Sequence, residues 1–172
     1  AMEIWDQTNG ELNVIVATMG TTGTLMGLAR RFGELKPEVQ VVGVEPYLGH
    51  RIQGLKNMKE SYQPGIFKKA SLHRIINIDD EEAFEMARSL AKSEGLLVGM
   101  SSGAAMAAAL KEAQHMRAGT VVVLLPDGGE RYLSTSLFAE REDVGLKLYN
   151  TLSNRKEPFE PVVPGNVSLY SY

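Results

Sequence analysis

Cysteine is absent from all 172 residues, which excludes disulfides and every metal site built on thiolates. Histidine is scarce too. His50, His73 and His115 are scattered without metal-ligand spacing, so surface or packing roles are expected and no metal site. No apolar run approaches the roughly 20 residues needed to cross a bilayer. The start, Ala1-Met2-Glu3-Ile4-Trp5, lacks the basic and apolar regions of a signal peptide. A net charge of -3 argues against a dominant nucleic-acid surface. The missing cysteines fit a reducing compartment, and the expected location is cytoplasmic with no membrane partner. What remains, 44% apolar and 23% charged residues, is the composition of a globular protein long enough for a substantial core.

Strand-like and helix-like segments alternate along most of the chain. Asn13 to Met19 reads as a strand, Thr24 to Leu35 as a helix ended near Pro37, and Gln40 to Glu45 as a second strand stopped by Pro46. Tyr47 to Ser71 has no clear period and reads as irregular, with at most one short helix. His73 to Ile78 resumes a strand. Asp79 to Glu82 supply the acidic start of a helix whose apolar face is Ala83, Phe84, Ala87, Leu90 and Ala91. Leu96-Leu97-Val98 reads as a short buried run, Ala104 to Met116 as an alanine-rich helix, and Thr120 to Leu125 as the strongest strand. This order predicts an α/β fold with three layers, a mostly parallel sheet covered by helices on both faces. Ligands in such sheets bind outside the carboxyl ends of the strands, so the loops at Gly20, Ser101 and Asp127 are expected to converge on one edge.

The first of these loops is the most informative. Gly20-Thr21-Thr22-Gly23-Thr24 breaks an apolar strand and opens a helix. Glycine admits a close ligand, the first helical turn offers free N–H groups to an anion, and the threonine hydroxyls add donors. A phosphate monoester suits such a loop, although a glycine at a strand–helix junction also serves simply to make the turn. Ser101 and Ser102 have a plainer reading as N-caps, and Asp127-Gly128-Gly129 as a turn. Glu130-Arg131 reads as a structural ion pair or solvated face, and Arg30-Arg31 and Lys68-Lys69 as solvated faces.

Three ordered blocks carry a resemblance. Met19 to Thr24, Glu94 to Ala105 and Gly129 to Thr135 resemble the cysteine synthases, pyridoxal-phosphate enzymes of fold type II. Thr22 in place of the more common glycine, with Tyr62-Gln63-Pro64-Gly65-Ile66-Phe67, looks like the B-type O-acetylserine sulfhydrylases. The resemblance runs from about Glu3 to Glu140 and implies the larger domain of such an enzyme, incomplete. It implies that Gly20, Thr21, Thr22, Gly23 and Thr24 hold the phosphate of pyridoxal 5'-phosphate. Ser101 would bond the pyridine nitrogen without keeping it protonated, Asp127 would sit near the pyridine edge, and Gly54 would face the substrate. It further implies O-acetylserine and sulfide or a related thiol donor as substrates, and a homodimer. The family's Schiff-base lysine lies in a Ser-Xaa-Lys-Asp-Arg context, and no lysine here has that context. No catalytic residue is therefore assigned, and the chain alone is expected to be inactive.

Beyond about residue 145 the character changes, which divides the chain into 1–145 and 146–172. Leu146 to Phe159 and Val163 to Tyr170 look like the opening of a cysteinyl-tRNA synthetase, which would make this a fusion junction. The final alternating run suggests a chain cut within a strand. A non-catalytic docking module of cysteine-synthase type is the alternative. A nucleotide-binding Rossmann domain is weaker still, because Gly20 to Thr24 lacks the dinucleotide glycine spacing.

Overall fold

In the computed structural model, residues 1–138 and 147–159 are described. The chain divides into two units, Ala1–Phe138 and Ala139–Tyr172.

The first unit begins with helix α1 (Met2–Gln7), strand β1 (Val14–Thr18), helix α2 (Gly23–Leu35) and strand β2 (Gln40–Pro46). Strand β3 (Arg74–Ile78), helix α3 (Asp80–Ser89), helix α4 (Met100–Gln114) and strand β4 (Val121–Val123) complete it. The sheet order is β3-β2-β1-β4 and every pairing is parallel. Strand alternation sends Val14 and Val16 to one face and Ile15 and Ala17 to the other. On the first face Val42, Val44 and Ile78 join them beneath Ala83, Phe84 and Ala87 of α3 and Ala104, Ala107 and Ala108 of α4. On the second, Leu25, Leu28 and Phe32 of α2 cover Ile15, Ala17 and Val41, with Trp5 of α1 packed against them. Burial on both faces is why these strands read as nearly unbroken apolar runs.

Helix α3 starts as its acidic residues suggest: the Asp79 carboxylate accepts the Glu81 N–H at 2.9 Å. Its contact with α4 is close because Gly103 faces it; a Cβ there would run into the Ala83 carbonyl oxygen and lie 3.0 Å from the Ala87 Cβ. The segment 47–71 is irregular apart from a single 3-10 turn at Lys69–Ser71.

Two local readings are corrected. Leu96 and Leu97 are each 44% exposed rather than buried. The chain leaves a left-handed Gly95 (φ +69°) and makes only one isolated bridge, Val98 to Gly128, so no strand forms to bury the run. Helix α4 starts at Met100, four residues earlier than expected, with Gly99 as its N-cap. Ser101 and Ser102 therefore lie inside its first turn and cap nothing. Gly99 takes that place because any side chain there would collide with the Asp127 carboxylate and the Tyr132 ring.

In the second unit, strands β5 (Lys147–Asn150) and β6 (Arg155–Pro158) form an antiparallel hairpin. Asn154 takes a left-handed conformation (φ +61°), and the Tyr149 hydroxyl donates to its side-chain oxygen at 2.6 Å. The remaining residues of the tail resemblance, Leu146 and Val163 to Tyr170, lie outside the described residues.

Candidate functional site

Parallel strands all point their carboxyl ends one way, and the connections from β1 and into β4 leave on opposite faces. The gap between β1 and β4 is thus a switch point of the sheet, where the loops part to leave a crevice. A cavity of about 500 Å³ lies there. It is lined by Gly20 to Thr24 after β1, by Leu124 to Asp127 after β4, by Gln53 and Gly54, and by Ser101 of α4. The residues singled out from the sequence are thus brought together, and among the described residues no lysine lines the cavity.

The β1 loop is tightly folded against the Gly54 segment. A Cβ on Gly20 would fall 2.6 Å from the Gly54 carbonyl oxygen, so only glycine fits. The Lys56 N–H donates to the Met19 carbonyl at 2.7 Å and ties the two loops together. Gly54 has φ +85°, a conformation open to glycine. Arg51, two residues before the cavity-lining pair Gln53 and Gly54, anchors this segment to α3. Its N–H and its Nε both donate to Asp80, at 2.8 and 3.1 Å, and its guanidinium also reaches Glu81.

Thr22 is the unusual member. It is the N-cap of α2 yet adopts a left-handed conformation (φ +64°, ψ 0°), which is costly for a β-branched residue. Its side chain makes no capping bond. It is 2% exposed, and its Oγ1 is buried without a hydrogen-bond partner. A backbone strain and an orphaned hydroxyl at the mouth of a helix, with no acidic residue in the first turn, form a donor-rich, uncompensated anion cradle.

The β4 side differs in chemistry. Ser101, 5% exposed, donates its hydroxyl to Asp127 Oδ1 at 3.4 Å. The Tyr132 hydroxyl donates to Oδ2 of the same carboxylate at 2.5 Å. Burial, and then this bond to Asp127, push the Tyr132 phenol up to about 12. Tyr132 and Gln53 were not singled out by sequence reasoning. Gln53 had only its adjacency to Gly54 as a signal, and Tyr132 its place in a matched block.

His73 and His115 are exposed, and His50 is half-buried with an unpartnered Nδ1. Arg30 and Arg31 pair with Glu34 on the surface of α2, and Lys68, Lys69, Glu130 and Arg131 are exposed. Among the described residues no His, Cys, Asp and Glu cluster has the makings of a metal site. No helix among them is long and apolar enough to cross a membrane.

A parallel sheet whose switch-point cavity pairs an anion cradle with a serine–carboxylate couple defines a cofactor-binding α/β class. Residues 1–127 match the pyridoxal-phosphate-dependent enzyme family, and the chain belongs to it. It is 44% identical over 146 residues to the cysteine synthase of Aquifex aeolicus, covering 82% of this chain and 45% of that protein. It is 40% identical over 138 residues to cysteine synthase B of Escherichia coli, covering 80% of this chain and 46% of that protein. The crystal structure of a cysteine synthase from Entamoeba histolytica superposes with a TM-score of 0.75 at 39% identity, over 80% of this chain and 43% of that one. The fold is therefore that of the fold type II enzymes, in part: the chain spans less than half the length of the relatives it matches.

Proposed function

We propose that this chain forms the cofactor-holding part of a cysteine synthase that makes cysteine from O-acetylserine and sulfide or a related thiol donor. The observation that carries the reading is the buried, unpartnered Thr22 hydroxyl in a left-handed turn at the start of α2. A buried hydroxyl without a partner, in a strained turn at a helix start, fits a ligand that accepts its hydrogen bond.

Pyridoxal phosphate, when bound, supplies the electron sink that lets an amino acid lose its Cα proton and the acetate at Cβ leave. The chain's own residues then divide the work. The N–H groups of the first turn of α2 and the hydroxyls of Thr21, Thr22 and Thr24 would hold the phosphate, with Gly20 and Gly23 letting the backbone approach. Ser101 would bond the pyridine nitrogen, with Asp127 near the pyridine edge. Gly54 and its loop border the substrate side. The base at Cα and the Schiff-base amine would come from a lysine outside these residues, since no lysine here has the family's Ser-Xaa-Lys-Asp-Arg context. The complete enzyme is read as a homodimer, and its location as cytoplasmic.

Pyridoxine 5'-phosphate, which has no aldehyde and so needs no lysine, tests the site in this chain. Calorimetric titration is expected to show saturable binding that inorganic phosphate displaces and that Gly20→Ala weakens by about tenfold or more. Equal binding of unphosphorylated pyridoxine, or none of either, overturns the reading. Pyridoxal phosphate itself is expected to leave no stoichiometric imine band; a site-specific band with turnover overturns the placement of the lysine elsewhere. The docking-module alternative draws no support from the relatives above, which are enzymes by name.

The tail carries a second reading. Leu146 to Phe159 and Val163 to Tyr170 resemble the opening of a cysteinyl-tRNA synthetase, and we infer a fusion of cysteine synthesis to cysteine charging; the described part of this tail is a hairpin in the second unit. The codons following Tyr172 in the source gene test it. A zinc-ligand cysteine and a His-Ile-Gly-His motif are expected there, and their absence overturns the fusion.

A further inference from the structure

Between Tyr47 and Ser71 the chain has no strand and a single 3-10 turn, yet Gln53 and Gly54 from this stretch form a wall of the cavity. No ladder of backbone bonds holds that wall, so side chains and single bonds set its place. Ile52 and Leu55 are buried in the core on the α3–α4 face, which leaves Gln53 and Gly54 to the cavity. The next three residues fasten the segment to the ends of two adjacent strands. The Lys56 N–H donates to the Met19 carbonyl, just past β1, at 2.7 Å. The Asn57 side chain donates to the carbonyl of Pro46, the last residue of β2, at 2.8 Å. The Met58 N–H donates to the Glu45 carboxylate at 3.2 Å. Asn57 also works in the other direction: its Oδ1 accepts the Lys59 N–H at 2.9 Å, and its main-chain carbonyl accepts the N–H groups of Glu60 and Ser61. At 3% exposure it is the one buried carboxamide among the described residues. A buried amide bonded at both ends of its side chain fixes one arrangement of the chain around it.

We propose that Asn57 is a positioning residue whose clamp on Pro46 sets where the Gly54 wall stands, and so how firmly the cavity grips the ring of a phosphorylated pyridine ligand. The inference rests on the cofactor reading above. The clamp lies three residues from Gly54, too short a span to absorb a shift. The sheet itself does not depend on Asn57, because the Asn77 side chain also donates to the Pro46 carbonyl, at 3.3 Å. Removing the Asn57 amide therefore frees the wall while the strand end keeps a donor. The phosphate-facing N–H groups are independent as well. They belong to α2, whose first turn is closed by its own bond from the Met26 N–H to the Thr22 carbonyl at 2.9 Å. Asn57 thus acts on the ring end of the cavity and leaves the phosphate end as it is.

The test compares two probes on this chain by calorimetry, pyridoxine 5'-phosphate and inorganic phosphate. Asn57→Leu keeps the size of the side chain, adds no charge and removes both of its bonds. It is expected to weaken pyridoxine 5'-phosphate by about tenfold and inorganic phosphate by less than about twofold. Asn57→Ala is expected to shift the ratio the same way and carries the test if the leucine variant does not fold. A merely structural Asn57 would lower stability, or both affinities together, without moving that ratio. Hydrogen exchange on the native chain needs no variant. The Lys56 and Met58 amides are expected to gain protection when pyridoxine 5'-phosphate binds and to gain none from inorganic phosphate. An unchanged affinity ratio in the variants, or equal protection by the two probes, overturns the proposal and leaves the cofactor site standing. Failure of the native chain to bind pyridoxine 5'-phosphate at all overturns both.

Discussion

Replacing Thr22 with glycine should stabilise the ligand-free protein, against the usual direction of a mutation in a buried turn. Two costs are present at Thr22. A left-handed conformation costs a non-glycine residue about 1–2 kcal/mol. A buried hydroxyl without a partner costs about 1–3 kcal/mol. Glycine removes both. Against this stand the lost burial of Cβ and its methyl group, about 1.6 kcal/mol, and the added freedom of glycine in the unfolded chain, about 0.4–1 kcal/mol. No capping bond is lost, because the Thr22 side chain makes none. The balance is a gain of about 1 kcal/mol, measurable as a shift in the urea midpoint at unchanged slope. Thr22→Ala keeps the strained backbone while removing the hydroxyl, and should fall between the two. Inorganic phosphate should then reverse the order, because only threonine gains a charged hydrogen bond, worth about 1.5–3 kcal/mol, on binding. A loss of more than about 1 kcal/mol in Thr22→Gly without phosphate would refute the strain argument. Equal stabilisation of both proteins by phosphate would refute the ligand argument.

Two further perturbations probe the packing and the β4 side. Gly103→Ala forces a methyl into the Ala83 carbonyl at the α3–α4 contact and should cost about 1–3 kcal/mol or more, read as a drop in thermal midpoint with loss of near-ultraviolet circular dichroism; an unchanged midpoint would mean that the helices separate freely. Tyr132 is 6% exposed, and its phenol lies at about 12 folded against about 10 unfolded. Between those values the folded state holds the extra proton, so its contribution is complete below pH ~10 and is lost as pH rises toward ~12. The amount is of order 2 kcal/mol. Tyr132→Phe should therefore flatten the alkaline decline of stability in urea titrations, and an equally steep decline would assign that loss to other groups.

What the sequence made legible was local or periodic. Gly20 to Thr24 announces itself because an apolar run, a glycine and a helix start are adjacent in the chain, and the alternation of strands and helices alone predicts which edge the loops share. The features that were not legible depend on contacts between distant segments. Leu96 and Leu97 look buried by composition, but whether an apolar run is covered depends on a strand partner that no residue in the run specifies. Ser101 and Ser102 look like caps until Gly99 takes that position, and it does so because Asp127 and Tyr132, some thirty residues on, fill the space a side chain would need. The left-handed turn at Thr22 runs against residue preference, as happens where a site rather than the fold sets the backbone.

The two helices that open onto the cavity have opposite electrostatic treatment, and this says which end takes the anion. The start of α4 lies beside the Asp127 carboxylate, so its positive end is already answered within the protein. The start of α2 has no acidic residue in its first turn and no side-chain cap. An external anion is therefore drawn to α2 and repelled from α4, which orients an elongated ligand with one charged end along the crevice. Supplying the missing charge tests the point. Thr24 is exposed in the first turn of α2, and Thr24→Asp should raise stability by about 0.3–1 kcal/mol through the helix dipole. The same carboxylate should abolish phosphate binding by occupying the N–H groups and repelling the ligand. A variant that is more stable and still binds phosphate with native affinity would place the anion site away from α2.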